Sequence, residues 1–126
     1  MYKTKKRLFQ HDLDQDLLIE GPVWVETLSI FNDHTATLYL FIADSNEIVA
    51  EDEDSEGQIT ALSPGVSTII DFSDEGEGAT KGYGRRFIDG AYFSVSTNKL
   101  TRVLPETGQE EHANNKKLQF EALYRD

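Results

Sequence analysis

A chain of 126 residues without a cysteine has room for one hydrophobic core and offers neither a disulfide nor a thiolate metal site. Its 23 acidic residues outnumber 12 basic ones, for a formal charge of −11. That field argues against nucleic-acid binding, which draws on cationic contact with phosphate. No apolar run approaches the roughly 20 residues of a membrane span, and the opening MYKTKKRLFQHDLDQD has no apolar stretch of signal-peptide length. The expectation is a soluble protein made in a reducing cytoplasm, binding neither nucleic acid nor membrane.

In chain order, residues 1–15 read as a basic arm ahead of one domain over 16–126. Lys3, Lys5, Lys6 and Arg7 sit there, before a mostly acidic remainder. Such a segment is either a frayed terminus or a tether that docks on an acidic neighbour. A short helix is a candidate over 13–19. VWVETLSIF (23–31) is a strand, with Trp24, Leu28 and Ile30 on one parity and Val23, Val25 and Phe31 on the other. NDHT (32–35) signals a turn, and ATLYLFIA (36–43) returns with Leu38, Leu40 and Ile42 on one face and Tyr39 and Phe41 on the other.

An acidic loop (44–57) follows, with a short edge strand at 48–50. QITALS (58–63) and VSTIIDF (66–72) flank the turn Pro64-Gly65. In the second, Val66, Thr68, Ile70 and Phe72 alternate. After the Gly-rich loop 73–84, residues 85–97 read as one long strand with Phe87, Ala91, Phe93 and Val95 facing one way, and Gly90 relieving crowding or marking a bulge. Strands at 100–104 and 117–124 close the chain, the last with Leu118, Phe120, Ala122 and Tyr124 on one face; a turn near 106–112 lies between them. Seven to nine short strands at near-regular spacing, with no sustained helical period, predict an all-β fold: a single antiparallel β-sandwich with jelly-roll or Greek-key connections.

Motifs that carry chemistry are sparse. EDEDSEG (51–57) sets Asp52, Asp54 and Glu56 before Gly57, the residues an improvised calcium loop would use. The twelfth position is Ser63 rather than a bidentate Glu, so the EF-hand pattern fails and no metal or other cofactor is expected; acidic loops are ordinarily just solvated. DFSDEGEG (71–78) lacks the closing acid as well. GEGATKGYGRR (76–86) is not a phosphate loop, because Thr80 precedes Lys81 and a strand follows rather than a helix. Arg85 and Arg86 point to opposite faces of a strand, and either can pair with an acidic loop of this chain or of a neighbour. His11, His34 and His112 have neither metal-pair spacing nor a nucleophile beside them. With no catalytic roles assembled, no catalytic residue is assigned and no enzyme is expected, although two carboxylates of a small hydrolase stay open as a third reading. Trp24, Tyr39, Tyr83 and Tyr92 would form a sugar-stacking platform if exposed; strand aromatics more often fill a core.

LSIFNDHTATLYLFIAD (28–44) resembles the opening of a class of small tailed-phage virion proteins, in which an apolar strand ends in an Asn-led turn and continues into an aromatic strand. RFIDGAYFSVST (86–97) resembles their later strand, and FEALYRD (120–126) their final strand ending near a Tyr. The acidic segment 50–57, the Gly-rich loop 74–84 and the basic arm depart from that pattern. The resemblance implies a non-enzymatic structural protein of a bacteriophage virion: a capsid decoration or cement subunit without cofactors, forming homo-oligomers such as trimers. It would bind the major capsid protein or another virion protein, and reside in the host cytoplasm before assembly. The charge asymmetry then assigns partner contact to Lys3, Lys5, Lys6, Arg7, Arg85 and Arg86. The alternative is a carbohydrate-binding or adhesion module of jelly-roll type, with calcium assistance.

Overall fold

A computed structural model describes residues 5–10, 17–47, 58–99 and 118–126. Strand-forming sequence becomes two antiparallel sheets packed face to face, the β-sandwich expected, with nine strands among the described residues. In one sheet β1 (Lys6–Gln10), β9 (Leu118–Arg125), β3 (Val23–Asn32) and β6 (Ser67–Asp71) lie in that order. Beyond the end of β6, β7 (Arg85–Phe87) takes its place beside β3. The other sheet runs β2 (Leu17–Glu20), β8 (Gly90–Ser96), β4 (Leu38–Asp44), β5 (Gln58–Leu62).

Period-two alternation fills the space between the sheets. Leu38, Leu40 and Ile42 of β4 and Ala91, Phe93 and Val95 of β8 meet Leu28 and Ile30 of β3 and Leu118, Phe120 and Ala122 of β9. Phe93 and Phe120 join the two layers, ring centroids 5.1 Å apart and tilted by 51°. Each such side chain contributes about 1.5–3 kcal/mol by leaving water. The NDHT turn is built by Asn32, which is fully buried. Its Nδ2 donates to the Ala36 and Leu62 carbonyls at 3.0 and 2.8 Å, and its Oδ1 accepts the His34 N–H at 2.9 Å.

Four local readings change. The register of β3 against β9 shifts between Val25 and Thr27, a bulge at Glu26. One extra residue reverses the parity of everything before it. Val23 and Val25 therefore share the core face with Leu28 and Ile30, and Trp24 goes to the opposite face, against Tyr83. Residues 85–97 are two strands rather than one, β7 in one sheet and β8 in the other, with the chain crossing at Ile88 and Asp89. Phe87, Ala91, Phe93 and Val95 nonetheless all reach the core, because the crossing carries the chain around its rim. Gly90 sits in the crowded spot expected of it: a Cβ there would lie 2.9 Å from the Ser45 carbonyl oxygen.

Residues 17–19 of the candidate helix belong to β2, since Leu17, Leu18 and Ile19 pair with β8 and pack on its apolar side chains. The arm expected over residues 1–15 contains a strand: Lys6–Gln10 is hydrogen-bonded along β9 at the sheet edge. The strands expected at 48–50 and 100–104 and the turn near 106–112 lie outside the described residues.

Candidate interaction surface

Of the basic residues assigned to partner contact, the five that the structure describes have partners within the chain. With β1 laid along β9, its cations meet carboxylates more than a hundred positions away. Lys6 Nζ stands 2.9 Å from Asp126, and the Arg7 guanidinium bonds the Glu121 carboxylate. Lys5 Nζ lies 2.9 Å from Glu26 Oε2, which Arg125 Nη1 also approaches at 3.3 Å. The hydrogen bond from Asp126, and then its charge, raise the Lys6 pKa above the usual lysine value. Arg85 fills the same role on β7. Its Nη1 donates to Gln58 Oε1 at 2.7 Å, its Nε to Glu75 at 3.1 Å, and its guanidinium lies 4.2 Å above the Phe72 ring. Arg86, on the opposite face, stands 5.5 Å over Trp24. Lys3 lies outside the described residues.

The aromatic platform is not assembled. Trp24, Tyr83 and Tyr92 are buried and Tyr39 is half-buried. Trp24 meets Tyr83 edge-on at 5.8 Å, and the Arg125 guanidinium covers the Tyr83 ring at 4.5 Å. Trp24 and Tyr83 meet on the outer side of the bulged segment of β3, whereas Tyr92 packs with Ala43 and Leu18 on the other sheet, so no single face gathers the rings.

Two further carboxylates, Asp71 and Asp44, hold backbone at turns. Asp71 Oδ1 accepts the Ser73 N–H at 2.8 Å; hydrogen bonds from the Ser73 side chain and backbone lower its pKa. Asp44 accepts N–H groups of Ile88, Asp89 and Gly90 at 2.9, 2.8 and 3.3 Å. Among the described residues no group of three or more His, Cys, Asp or Glu could hold a metal ion. Asp52, Asp54 and Glu56 lie outside the described residues, as do His11 and His112.

What the sandwich does offer a neighbour is apolar. Ile59, Val66, Ile69 and Ile88 are 48–70% exposed. Ile69 stands on the outer face of the five-stranded sheet, opposite Ser29 of β3. A shallow groove of about 190 Å³ lies on that face, lined by Ser29, Phe31, Ser67, Gln119 and Glu121. The sequence held one signal for this surface: in VSTIIDF, adjacent Ile69 and Ile70 cannot both face one core. Ile70 takes the inside.

The arrangement defines the chain as an all-β two-sheet sandwich with an apolar outer edge. Comparison with known proteins finds no matching family model, no similar curated protein and no similar solved structure.

Proposed function

We propose that this chain is a non-enzymatic structural subunit that adheres to a larger protein lattice, as a capsid decoration or cement protein of a tailed phage does. The observation that carries this reading is the set of exposed β-branched residues, Val66 and Ile69 at one sheet edge with Ile59 and Ile88 elsewhere, on a sandwich otherwise strongly acidic. Neighbouring apolar side chains on a rigid sheet edge give short-range adhesion where they form one patch, while net charge suppresses indiscriminate association. Contact then rests on these residues rather than on Lys5, Lys6, Arg7 and Arg85, whose cationic heads already face carboxylates in the same chain. Its place is the virion, with the host cytoplasm as the compartment before assembly, and its partner is the major capsid protein or another virion protein.

Co-sedimentation tests the reading. Particles from the source material are banded on a density gradient, and the particle band is searched for this chain by mass spectrometry. The expected result is a stoichiometric amount travelling with intact particles and released by Ile69→Asp together with Ile88→Asp. Chain found only at the top of the gradient overturns the reading.

A further inference from the structure

β6 is an open edge: among the described residues no strand pairs with its side away from β3. The ladder identifies which backbone groups face outward. Asn32 N–H donates to the Val66 carbonyl at 3.3 Å, and Phe72 N–H donates to the Glu26 carbonyl at 2.8 Å. In the register between them, Thr68 and Ile70 therefore bond to β3. By antiparallel alternation the N–H and C=O groups of Ser67, Ile69 and Asp71 point away from it. Their side chains stand on the outer sheet face, since Ile70 between them packs into the core. The strand STIID carries no Lys and no Pro, two of the devices that blunt an exposed edge.

We propose that β6 pairs antiparallel with β6 of a second copy of this chain, about a two-fold axis beside Ile69. In that register Ile69 meets its own counterpart and Ser67 meets the counterpart of Asp71. All three outward-facing residues then exchange hydrogen bonds, which an outward set centred on one residue makes possible. Charge selects the same arrangement. Each Asp71 carboxylate lies beside a serine hydroxyl rather than a second carboxylate, and the acidic turns that follow Asp71 go to opposite ends of the joint. A parallel pairing would set them side by side.

Two five-residue strands bury far less than the roughly 1,600 Å² of a standard stable interface. The joint is therefore weak between free copies and strengthens where copies are held close together. The inference shares Ile69 with the lattice-binding reading but is tested apart from it, on purified chain with no particle present.

The chain has no cysteine, so Ile69→Cys introduces a single thiol. The proposed register sets the two α-carbons about 5.5 Å apart, inside the range a disulfide spans. Ile59→Cys, exposed on β5 of the other sheet, is the control. On mild oxidation, Ile69→Cys is expected to form covalent dimer about tenfold faster than Ile59→Cys. In sedimentation equilibrium the unmodified chain should show a reversible dimer that strengthens from roughly 0.05 M to roughly 0.5 M salt, as repulsion between acidic copies is screened. Ile69→Pro removes an outward N–H and leaves the β3 ladder intact, and it should weaken the dimer about tenfold or more. Ile69→Lys, which sets like charges face to face, should do the same, with circular dichroism confirming that both variants are folded. Equal cross-linking at the two cysteine positions, a dimer that survives both Ile69→Pro and Ile69→Lys, or a monomer at all concentrations and salt levels would overturn the proposal.

Discussion

Asp44, at the end of β4, holds the backbone of Ile88 where the chain passes from one sheet to the other: its Oδ2 accepts the Ile88 N–H at 2.9 Å. Partial desolvation is the largest single influence on this carboxyl and pushes its pKa up. The N–H groups of Ile88, Asp89 and Gly90 together outweigh it, and the pKa falls below the usual aspartate value. A depressed folded-state pKa adds stability that is complete above the unfolded value of about 3.9 and is lost as pH falls through the folded value. Asp44→Asn should therefore cost about 1 kcal/mol at neutral pH. In urea melts the gap between variant and parent should close as the pH falls through the depressed folded-state pKa.

Glu26 occupies the bulge and receives both Lys5 and Arg125. Arg125 also covers Tyr83, so removing the carboxylate takes away an ion pair made by a largely covered guanidinium. Glu26→Ala should destabilise by about 1–2 kcal/mol, short of the full cost of breaking a deeply buried pair. Chemical denaturation with Trp24 fluorescence as the readout is suitable, because Trp24 lies against Tyr83 in the same cluster.

Gly84 has φ +97°, and a Cβ there would lie 1.9 Å from the Val25 carbonyl oxygen. Both backbone strain and a backbone clash oppose a side chain, so Gly84→Ala should cost about 3 kcal/mol or more. Gly65 is the comparison: its φ is +71° but nothing lies within 4 Å of a Cβ. Gly65→Ala should cost only about 1 kcal/mol, the conformational part alone. Thermal melts of the two variants separate the contributions.

Removing residues 1–10 strips β1 from β9 and takes away Leu8, which packs against the core. The expected result is a loss of about 2 kcal/mol or more in stability. The triple change Lys5→Gln, Lys6→Gln and Arg7→Gln keeps the strand and should leave the melting temperature close to the parent's, since exposed ion pairs contribute little. A particle-binding assay with the truncated chain would therefore confuse unfolding with loss of contact; the triple variant isolates the charges.

The faces of the central strands were legible because alternation is a local property. Leu38, Leu40 and Ile42 declare their side within seven residues. The bulge at Glu26 left no such trace, because what makes it a bulge is the register against β9, some hundred residues on. The division of 85–97 was hidden for a related reason: Phe87 and Ala91 keep one parity while changing sheets. KRLFQ looked like a tail because three of its five residues are polar or charged, and their partners Glu121 and Asp126 belong to the other end of the sequence. Of the interaction surface, the sequence disclosed the cations but not that Lys5, Lys6, Arg7 and Arg85 meet carboxylates of the same chain. Doublet Ile69-Ile70 was the one local sign of an outward apolar residue.

The position of β9 also governs the order in which the molecule can be made. It lies between β1 and β3, pairing with residues synthesised more than a hundred and some ninety positions earlier. On a ribosome β1 emerges without the strand it pairs with and β3 with one side empty, and both must wait until residues 118–125 arrive. The four-stranded sheet has all its described strands by residue 96. One layer of the sandwich can thus precede the other during translation. With contacts this distant in sequence, closure of the second layer is the step expected to be slow.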